Sequence, residues 1–74
     1  MTLEQLKFIL ETQKIYNFSY NKIDYSLSLE KDSNGKDVII FGPQFEGKPF
    51  ESFGELMNEA RIENHHFKVV LEEL

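Results

Sequence analysis

The fold is decided by the stretch IDYSLSLEKDSNGKDVIIF, which spans residues 23–41. Apolar and polar side chains alternate over residues 23–30, and this period of two predicts a strand that buries one face. Residues 32–35 predict a tight turn, because Gly35 can adopt a left-handed conformation. A second strand follows over residues 37–41. Strands joined by so short a turn run antiparallel, so the stretch predicts a hairpin.

A further strand is predicted on the N-terminal side of this hairpin. Tyr16, Phe18 and Tyr20 alternate with polar residues. Asn21-Lys22 then predicts a two-residue turn, because asparagine tolerates positive φ. The sequence thus predicts three strands in an antiparallel meander. We interpret the aromatic residues of the first strand as core residues, since aromatic side chains on a half-buried strand normally pack inward.

The strand over residues 37–41 is apolar on both faces. A strand buried on one side alternates, and this one does not, so either helices cover both faces or one face meets a partner. We assign Val38 and Ile40 to the core. Ile39 and Phe41 then become candidate interface residues, together with Phe8, which lies off the apolar stripe of the first helix.

The N-terminal segment predicts a helix. Thr2 and Gln5 form a capping box, and apolar residues at helical spacing follow to about Thr12. On the other side of the meander, residues 44–49 predict a loop because of their Gly and Pro content. This loop can carry a short edge strand that turns at residues 46–47.

Two interpretations compete for residues 53–74. Ser52 and Glu55 form a second capping box, and apolar residues recur at helical spacing after it. One interpretation is a single helix of about 22 residues, in which Glu63 interrupts the apolar seam. The other is two short helices with a turn near Glu63, which lets Ile62 point inward. We favour two helices, because Asn and His between the apolar repeats are mediocre helix formers.

Length and composition limit what this chain can do. It has 74 residues, a net charge of −5 and no cysteine, which suits one small domain over residues 1–74 and excludes disulfides and thiolate ligands. Four of the five net negative charges lie after residue 37. We expect no direct nucleic-acid binding, because phosphate contacts need clustered Lys and Arg. We also expect no membrane span and no secretory signal, and hence a cytoplasmic location.

Catalytic and metal-binding groups are scarce. The serines lie in no elbow such as Gly-x-Ser-x-Gly, and the four glycines form no phosphate-binding loop. Glu63 and His66 have the Glu-x-x-His spacing of di-metal bundles, but such sites need two of these motifs and two further glutamates. On a helix, His65 and His66 would point about 100° apart and could not easily share a metal. We expect no enzyme, no metal and no cofactor, and a metal-dependent enzyme is the least favoured alternative.

Glutamates recur every four residues at Glu51, Glu55, Glu59 and Glu63. On a continuous helix they would form one acidic face, although like charges at this spacing cost roughly 0.2–0.5 kcal/mol each. We interpret this face as the candidate binding site for a protein partner with a basic surface. The alternative interpretation is a solvated helix face, and a helix break near residue 61 favours that alternative.

The C-terminal segment resembles a pattern found in other proteins. FESFGELMNEARIEN at residues 50–64, with residues 67–74, resembles a segment of short uncharacterised proteins from low-GC Gram-positive bacteria and from their phages and mobile elements. In that pattern a Ser-Phe-x-Glu-Leu helix precedes Ala-x-Ile, a tight turn often carrying Gly, and a last short helix. Here Asn64 stands where Gly is common. The resemblance covers about a third of the chain. It implies two helices and brings no activity with it. Small non-enzymatic proteins of mobile elements are, as a class, often inhibitors of host defence, anti-CRISPR proteins among them.

The sequence therefore predicts an α+β domain with an N-terminal helix, a three-stranded antiparallel meander and one or two C-terminal helices packed on the sheet. The predicted core comprises Leu6, Leu10, Phe18, Tyr25, Leu27, Val38, Ile40, Phe53, Leu56, Phe67, Val70 and Leu71. The leading functional hypothesis is a non-enzymatic protein-binding module or inhibitor that occupies a partner's surface. The alternative is a structural homodimer formed through the third strand or through Phe8.

Overall fold

A computed structural model describes residues 1–43 and 46–74 of the chain. At its centre lies an antiparallel sheet of four strands in the order β1-β2-β3-β4. The strands are β1 (Ile15–Tyr20), β2 (Ile23–Lys31), β3 (Asp37–Pro43) and β4 (Lys48–Phe50). Every ladder of this sheet joins strands that are consecutive along the chain, so the predicted α+β class and the meander are confirmed.

The sheet has four strands where the sequence predicts three. β4 lies in and just after the predicted loop and pairs with residues 39–41 of β3. A strand of three residues with Pro49 at its centre is too short to show a period of two, and proline is confined to such edge positions. The other predicted loop residues include 44–45, which lie outside the described residues.

Two tight turns fix the register of the strands. Asn21 and Lys22 have φ values of 49° and 67°, as a two-residue turn of type I′ requires. Tyr20 and Ile23 flank this turn as a ladder pair. In the second turn Gly35 has a φ of 77°. Both predicted turns are therefore confirmed.

Replacing Lys22 with glycine is expected to raise the free energy of unfolding by about 0.5–1 kcal/mol. The gain arises because a left-handed conformation costs a residue with a Cβ roughly 1–2 kcal/mol, which exceeds the entropy that glycine adds to the unfolded chain. Urea denaturation monitored by circular dichroism measures the change. Lys36→Gly is the matched control, since Lys36 is not among the residues of positive φ; it should lose stability. A loss in Lys22→Gly would contradict the turn assignment.

Three helices and a second, smaller hairpin complete the described residues. They are α1 (Leu3–Gln13), α2 (Phe53–Glu59), β5 (Arg61–Ile62), β6 (His65–His66) and α3 (Phe67–Glu73). α1 begins with the predicted capping box, in which the main-chain N–H groups of Thr2 and Gln5 each donate to the other side chain. The box predicted for α2 is half formed. Glu55 N–H donates to Ser52 Oγ at 3.0 Å, but the Glu55 carboxylate accepts from Glu51 N–H instead of closing the box.

The chain leaves α2 after Glu59, so the two-helix interpretation is confirmed and the single helix is wrong. Glu63 and Asn64 have φ values of 50° and 74° and form the two-residue turn between β5 and β6. This turn places Ile62 in the core, as the two-helix interpretation predicts. The sequence does not reveal that the connection is itself a hairpin, because each of its strands has only two residues.

The core lies between one face of the sheet and the three helices. Its aromatic centre is the ring of Phe67, whose centroid lies 4.8 Å from that of Phe41 and 6.2 Å from that of Phe18. Phe53, which is predicted in the core, is half-buried against it. The buried cluster comprises Leu6, Leu10, Phe18, Tyr25, Leu27, Ile39, Phe41, Leu56, Ala60, Ile62, Phe67, Val70 and Leu71.

The two faces of β3 are the reverse of the prediction. Ile39 and Phe41 are 2% and 4% exposed and belong to the core cluster. Val38 is buried as predicted, at 9% exposed, but it lies outside that cluster on the other face of the sheet, as does the half-buried Ile40. The ladder with β2 is the cause: Leu27 pairs with Phe41, and directly opposite residues share a face of the sheet. Ile39 and Phe41 are therefore buried within the molecule, and the prediction that they form an interface is wrong.

Candidate functional site

The sheet side chains that point away from the core form an open face. Over β1 and β2 this face is polar apart from Ile15: Ser19 and Asp24 are exposed, and Ser19 Oγ donates to an Asp24 carboxylate oxygen at 2.6 Å. Over β3 and β4 it is apolar, because Val38, Ile40 and Pro49 lie there. Ile40 and Pro49 are directly opposite each other in the ladder. The open face thus has a solvated half and an apolar half.

A groove of about 650 Å³ lies over the apolar half of this face. We call it the acidic groove, because four carboxylates and one ammonium surround its three apolar residues. The groove is lined by Glu30, Lys31, Asp32, Val38, Ile40, Pro49, Glu51 and Glu55. An apolar floor with charged walls is an arrangement that a ligand can fill with both apolar and cationic groups.

The acidic groove is lined by three stretches of the chain, which are residues 30–32, 38–40 and 49–55. The end of β2 contributes Glu30, which is opposite Val38 in the ladder with β3. The turn after β2 contributes Asp32, and the chain between β4 and α2 contributes Glu51. Glu55 follows in the first turn of α2. The turns of the meander therefore bring together carboxylates that are 19 to 25 positions apart in sequence.

Close backbone packing beside the groove requires glycine. A Cβ atom on Gly47 would overlap Cγ2 of Ile40, so only glycine lets the chain between β3 and β4 lie against that side chain. A Cβ atom on Gly42 would lie 2.7 Å from the Glu46 carbonyl oxygen. These contacts half-bury Ile40 and position β4 against β3, which forms one side of the groove.

The one ammonium of the acidic groove is already paired. Lys31 Nζ lies 2.7 Å from Asp37 Oδ1, and the hydrogen bond and charge of Lys31 lower the pKa of the Asp37 carboxyl. Asp37 therefore stays ionised well below neutral pH and offsets the charge of Lys31. The exposed ion pair itself contributes little to stability. Because Lys31 is paired with Asp37, the groove lining supplies no other cation that would neutralise its four carboxylates.

Hydrogen bonds orient several of these carboxylates without neutralising them. The Glu30 carboxylate accepts from Ser28 Oγ at 2.6 Å, and Asp32 Oδ1 accepts from the main-chain N–H groups of Asn34 and Lys36 at 2.8 and 2.9 Å. The donors are neutral, so the negative charges remain. The groove is thus an anionic site with partly fixed acceptors, as recognition of a cationic side chain requires.

The predicted acidic face is divided by the structure. Glu51 and Glu55 line the acidic groove, together with Glu30 from β2. Glu59 is the last residue of α2 and lies outside the groove lining, and Glu63 lies in the β5–β6 turn, where its carboxylate accepts from the Asn21 side chain. The prediction that all four glutamates share one helix face is therefore wrong, because α2 contains only Glu55 and Glu59.

Sequence reasoning missed half of the groove. Glu30 and Asp32 belong to a strand and a turn, so a search for charge along one helix does not select them. The sequence nevertheless contains the information that places Glu30 there. The predicted turn over residues 32–35 sets the register of the hairpin, and this register puts Glu30 directly opposite Val38. The contribution of Pro49 depends on β4, which the sequence suggests as a short edge strand within the loop but does not include in the predicted sheet.

Phe8 lies on a second apolar surface, away from the sheet. Its side chain is 64% exposed, in agreement with its predicted position off the apolar stripe of α1. Met1, Glu4, Gln5, Ile9 and Leu74 lie beside it in a shallow depression. Its lining combines one carboxylate and one amide side chain with apolar residues, and this combination does not specify a ligand.

The residues considered for catalysis and metal binding are not brought together. Within residues 1–43 and 46–74, no group of three or more His, Asp or Glu side chains could hold a metal ion. The hydroxyls of Thr12, Ser19 and Ser28 donate to main-chain carbonyls or to carboxylates. Nδ1 of His66 is buried without a hydrogen-bond partner in the described structure. The described residues therefore show no hydroxyl activated by an imidazole.

The fold and the groove define the class of this molecule as a small two-layer α+β protein with an open sheet face. Comparison with family models, curated proteins and solved structures gives no match. Among the described residues, no helix has both the length and the apolar character needed to cross a membrane.

Proposed function

We propose that this chain is a non-enzymatic protein-binding module whose acidic groove binds a basic and partly apolar segment of a partner protein. The observation that carries the proposal is the groove itself, in which unneutralised carboxylates surround Val38, Ile40 and Pro49. A lysine or arginine side chain fits such a site because its aliphatic stem packs on apolar residues while its charged head reaches the carboxylates.

Charge and apolar contact have different roles in this proposal. Carboxylates around the groove attract a cationic segment and accelerate association, and this effect weakens as salt screens the charges. The apolar floor contributes the part of the affinity that salt does not remove. The groove carboxylates also select against acidic partners, because bringing like charges together costs free energy.

An inhibitory role is the narrower form of the proposal. A protein that covers a basic surface on its partner blocks whatever that surface normally binds, and it needs no catalytic group to do so. The resemblance of residues 50–74 to short proteins of mobile elements supports this form, with the cytoplasm as the expected location and a host defence protein as the expected target. Neighbouring genes from a phage or a defence locus would support it further.

Peptide binding tests the groove directly. The probe is a labelled decapeptide of alternating lysine and leucine, with an alternating glutamate and leucine peptide as its counterpart. We expect the basic peptide to bind at 20 mM salt, to shift the amide resonances of Val38, Ile40 and Glu51, and to weaken roughly tenfold at 200 mM salt. The acidic peptide should not bind. Equal binding of both peptides would contradict the proposal.

A charge-reversal pair locates the binding surface. Glu30→Lys combined with Glu51→Lys removes two attractions from the groove and adds two repulsions, so the affinity for the basic peptide should fall at least about tenfold, or about 1.4 kcal/mol. The matched control is Glu59→Lys with Glu72→Lys, which makes the same change of net charge at exposed residues outside the groove lining. If the control lowers the affinity as much, net charge and not the groove is responsible.

A further inference from the structure

The two edges of the sheet differ in how they are protected. β4 is three residues long and contains Lys48 and Pro49, and short length, lysine and proline all disfavour the addition of another strand. β1, at the opposite edge, spans Ile15–Tyr20 and contains neither a charged residue nor a proline. β1 therefore lacks the features that normally prevent pairing at an exposed edge.

The outward-facing groups of β1 follow from its ladder with β2. Leu29 N–H donates to the Lys14 carbonyl oxygen at 2.9 Å, which fixes the phase of the ladder. In an antiparallel pair, hydrogen-bonded and non-hydrogen-bonded positions alternate. Ile15, Asn17 and Ser19 therefore direct their main-chain N–H and C=O groups away from β2. Among the described residues, no turn, loop or side-chain hydrogen bond reaches these main-chain groups.

The side chains along β1 leave apolar surface at the same edge. Ile15 is 49% exposed on the open face. On the core face, Tyr16 and Tyr20 are only half-buried against the cluster, and Tyr16 stacks on Phe18 with ring centroids 5.9 Å apart. A strand added at this edge would cover these side chains while it satisfies the main-chain groups, so hydrogen bonding and apolar burial favour the same event.

We infer that β1 pairs with β1 of a second copy of this chain, antiparallel and centred on Asn17. The three outward-facing positions are evenly spaced about Asn17. In this register Ile15 of one copy lies opposite Ser19 of the other, and the two Asn17 residues lie opposite each other. Each of these positions can exchange both main-chain hydrogen bonds with the other copy. A two-fold axis between the two Asn17 residues relates the copies, so the assembly is a closed dimer.

Local charge does not oppose a second copy at this edge, although each chain has a net charge of −5. The strand of each copy is uncharged, so no like charges are placed directly opposite each other across the new ladder. The acidic groove lies over β3 and β4, toward the opposite edge of the sheet from β1, and does not enter the interface. The inference is therefore independent of the proposed function.

The third strand cannot serve as this interface. β3 is internal, because it pairs with β2 along its length and with β4 at residues 39–41. The sequence predicts a homodimer through the third strand or through Phe8, and we place it instead on the first strand. In the resulting dimer the four strands of each copy form one continuous sheet, and the two acidic grooves lie on the same face at its opposite ends.

Sedimentation equilibrium over a concentration series tests the dimer. A single added ladder is a small interface, so we expect a dissociation constant between roughly 1 μM and 1 mM for the unmodified chain. Asn17→Pro removes an N–H that points away from β2, so it blocks pairing while leaving the β1–β2 ladder intact. Asn17→Lys blocks pairing by charge. Each should raise the dissociation constant at least about tenfold, with circular dichroism confirming the fold.

Ser26→Lys is the matched control, because Ser26 is directly opposite Asn17 on the same face but lies in an internal strand. It should dimerise within about threefold of the unmodified chain. Amide hydrogen exchange gives a readout that needs no variant: the protection of Asn17 and Ser19 should rise with protein concentration, from little protection well below the measured dissociation constant to clear protection well above it. A chain that stays monomeric at 1 mM overturns the inference, as does a dimer that persists in both Asn17 variants or that leaves those amides unprotected.

Discussion

Phe67→Ala is expected to lower the free energy of unfolding by about 3–5 kcal/mol, the usual cost of removing a buried phenylalanine ring. Phe67 is fully buried at the start of α3, and its ring contacts those of Phe18 and Phe41. The cavity would open where α3 meets the sheet. Small domains have total stabilities near the low end of roughly 5–15 kcal/mol, so much of the variant should be unfolded at 25 °C.

Urea denaturation followed by far-ultraviolet circular dichroism measures this loss. Phe8→Ala is the matched control, since it removes the same ring from a side chain that is 64% exposed. The control should change stability by less than about 0.5 kcal/mol. A loss below about 1 kcal/mol in Phe67→Ala would show that α3 is not packed on the sheet as described.

Gly42→Ala is expected to cost about 1–3 kcal/mol, the range for inserting an atom into closely packed surroundings. The new Cβ would lie 2.7 Å from the Glu46 carbonyl oxygen and 3.1 Å from the Gly47 Cα. Both neighbours are main-chain atoms, so relief requires the segment before β4 to move. The same movement would displace β4 and with it the side of the acidic groove that Pro49 lines.

Gly54→Ala is the matched control for this change. Its Cβ would meet only Ser52 Oγ at 3.7 Å, an ordinary van der Waals distance, and the residue lies in the first turn of α2. Alanine is a better helix former than glycine by about 0.8–1 kcal/mol, so this variant should be as stable as the unmodified chain or more stable. Thermal denaturation distinguishes the two substitutions by the sign of the shift in melting temperature. A loss in both, or in neither, would contradict the described packing around Gly42.

Local chemistry accounts for the parts of the fold that the sequence predicts. The turns at Asn21 and at Gly35 depend on residues that tolerate positive φ, and the start of α1 depends on a capping box that spans four residues. Each is complete within a few consecutive positions, so no knowledge of distant contacts is needed. The break between α2 and α3 is of the same kind, because weak helix formers and a turn residue mark it.

The missed features depend on which distant residues face each other. At residues 38–41 both faces of the strand are apolar, so periodicity carries no information about which face is buried. The pairing with β2 determines which face is buried: Leu27 faces the core, and Phe41 lies directly opposite it on the same face of the sheet. The acidic groove is similar: a period of four along the chain selected Glu59 and Glu63, whereas the hairpin register selects Glu30.

The meander also has a consequence for how fast the chain folds. Each ladder of the four-stranded sheet closes between neighbouring strands, so forming the sheet requires only short loops and little loss of chain entropy. The two ends of the chain, in contrast, make contacts between residues that are far apart in sequence. The Met1 ammonium donates to the Leu71 and Leu74 carbonyl oxygens at 3.1 and 3.0 Å. In stopped-flow refolding, the sheet should therefore form before the terminal helices dock. Core truncations in β2 and β3 should slow refolding, whereas truncations in α3 should chiefly accelerate unfolding.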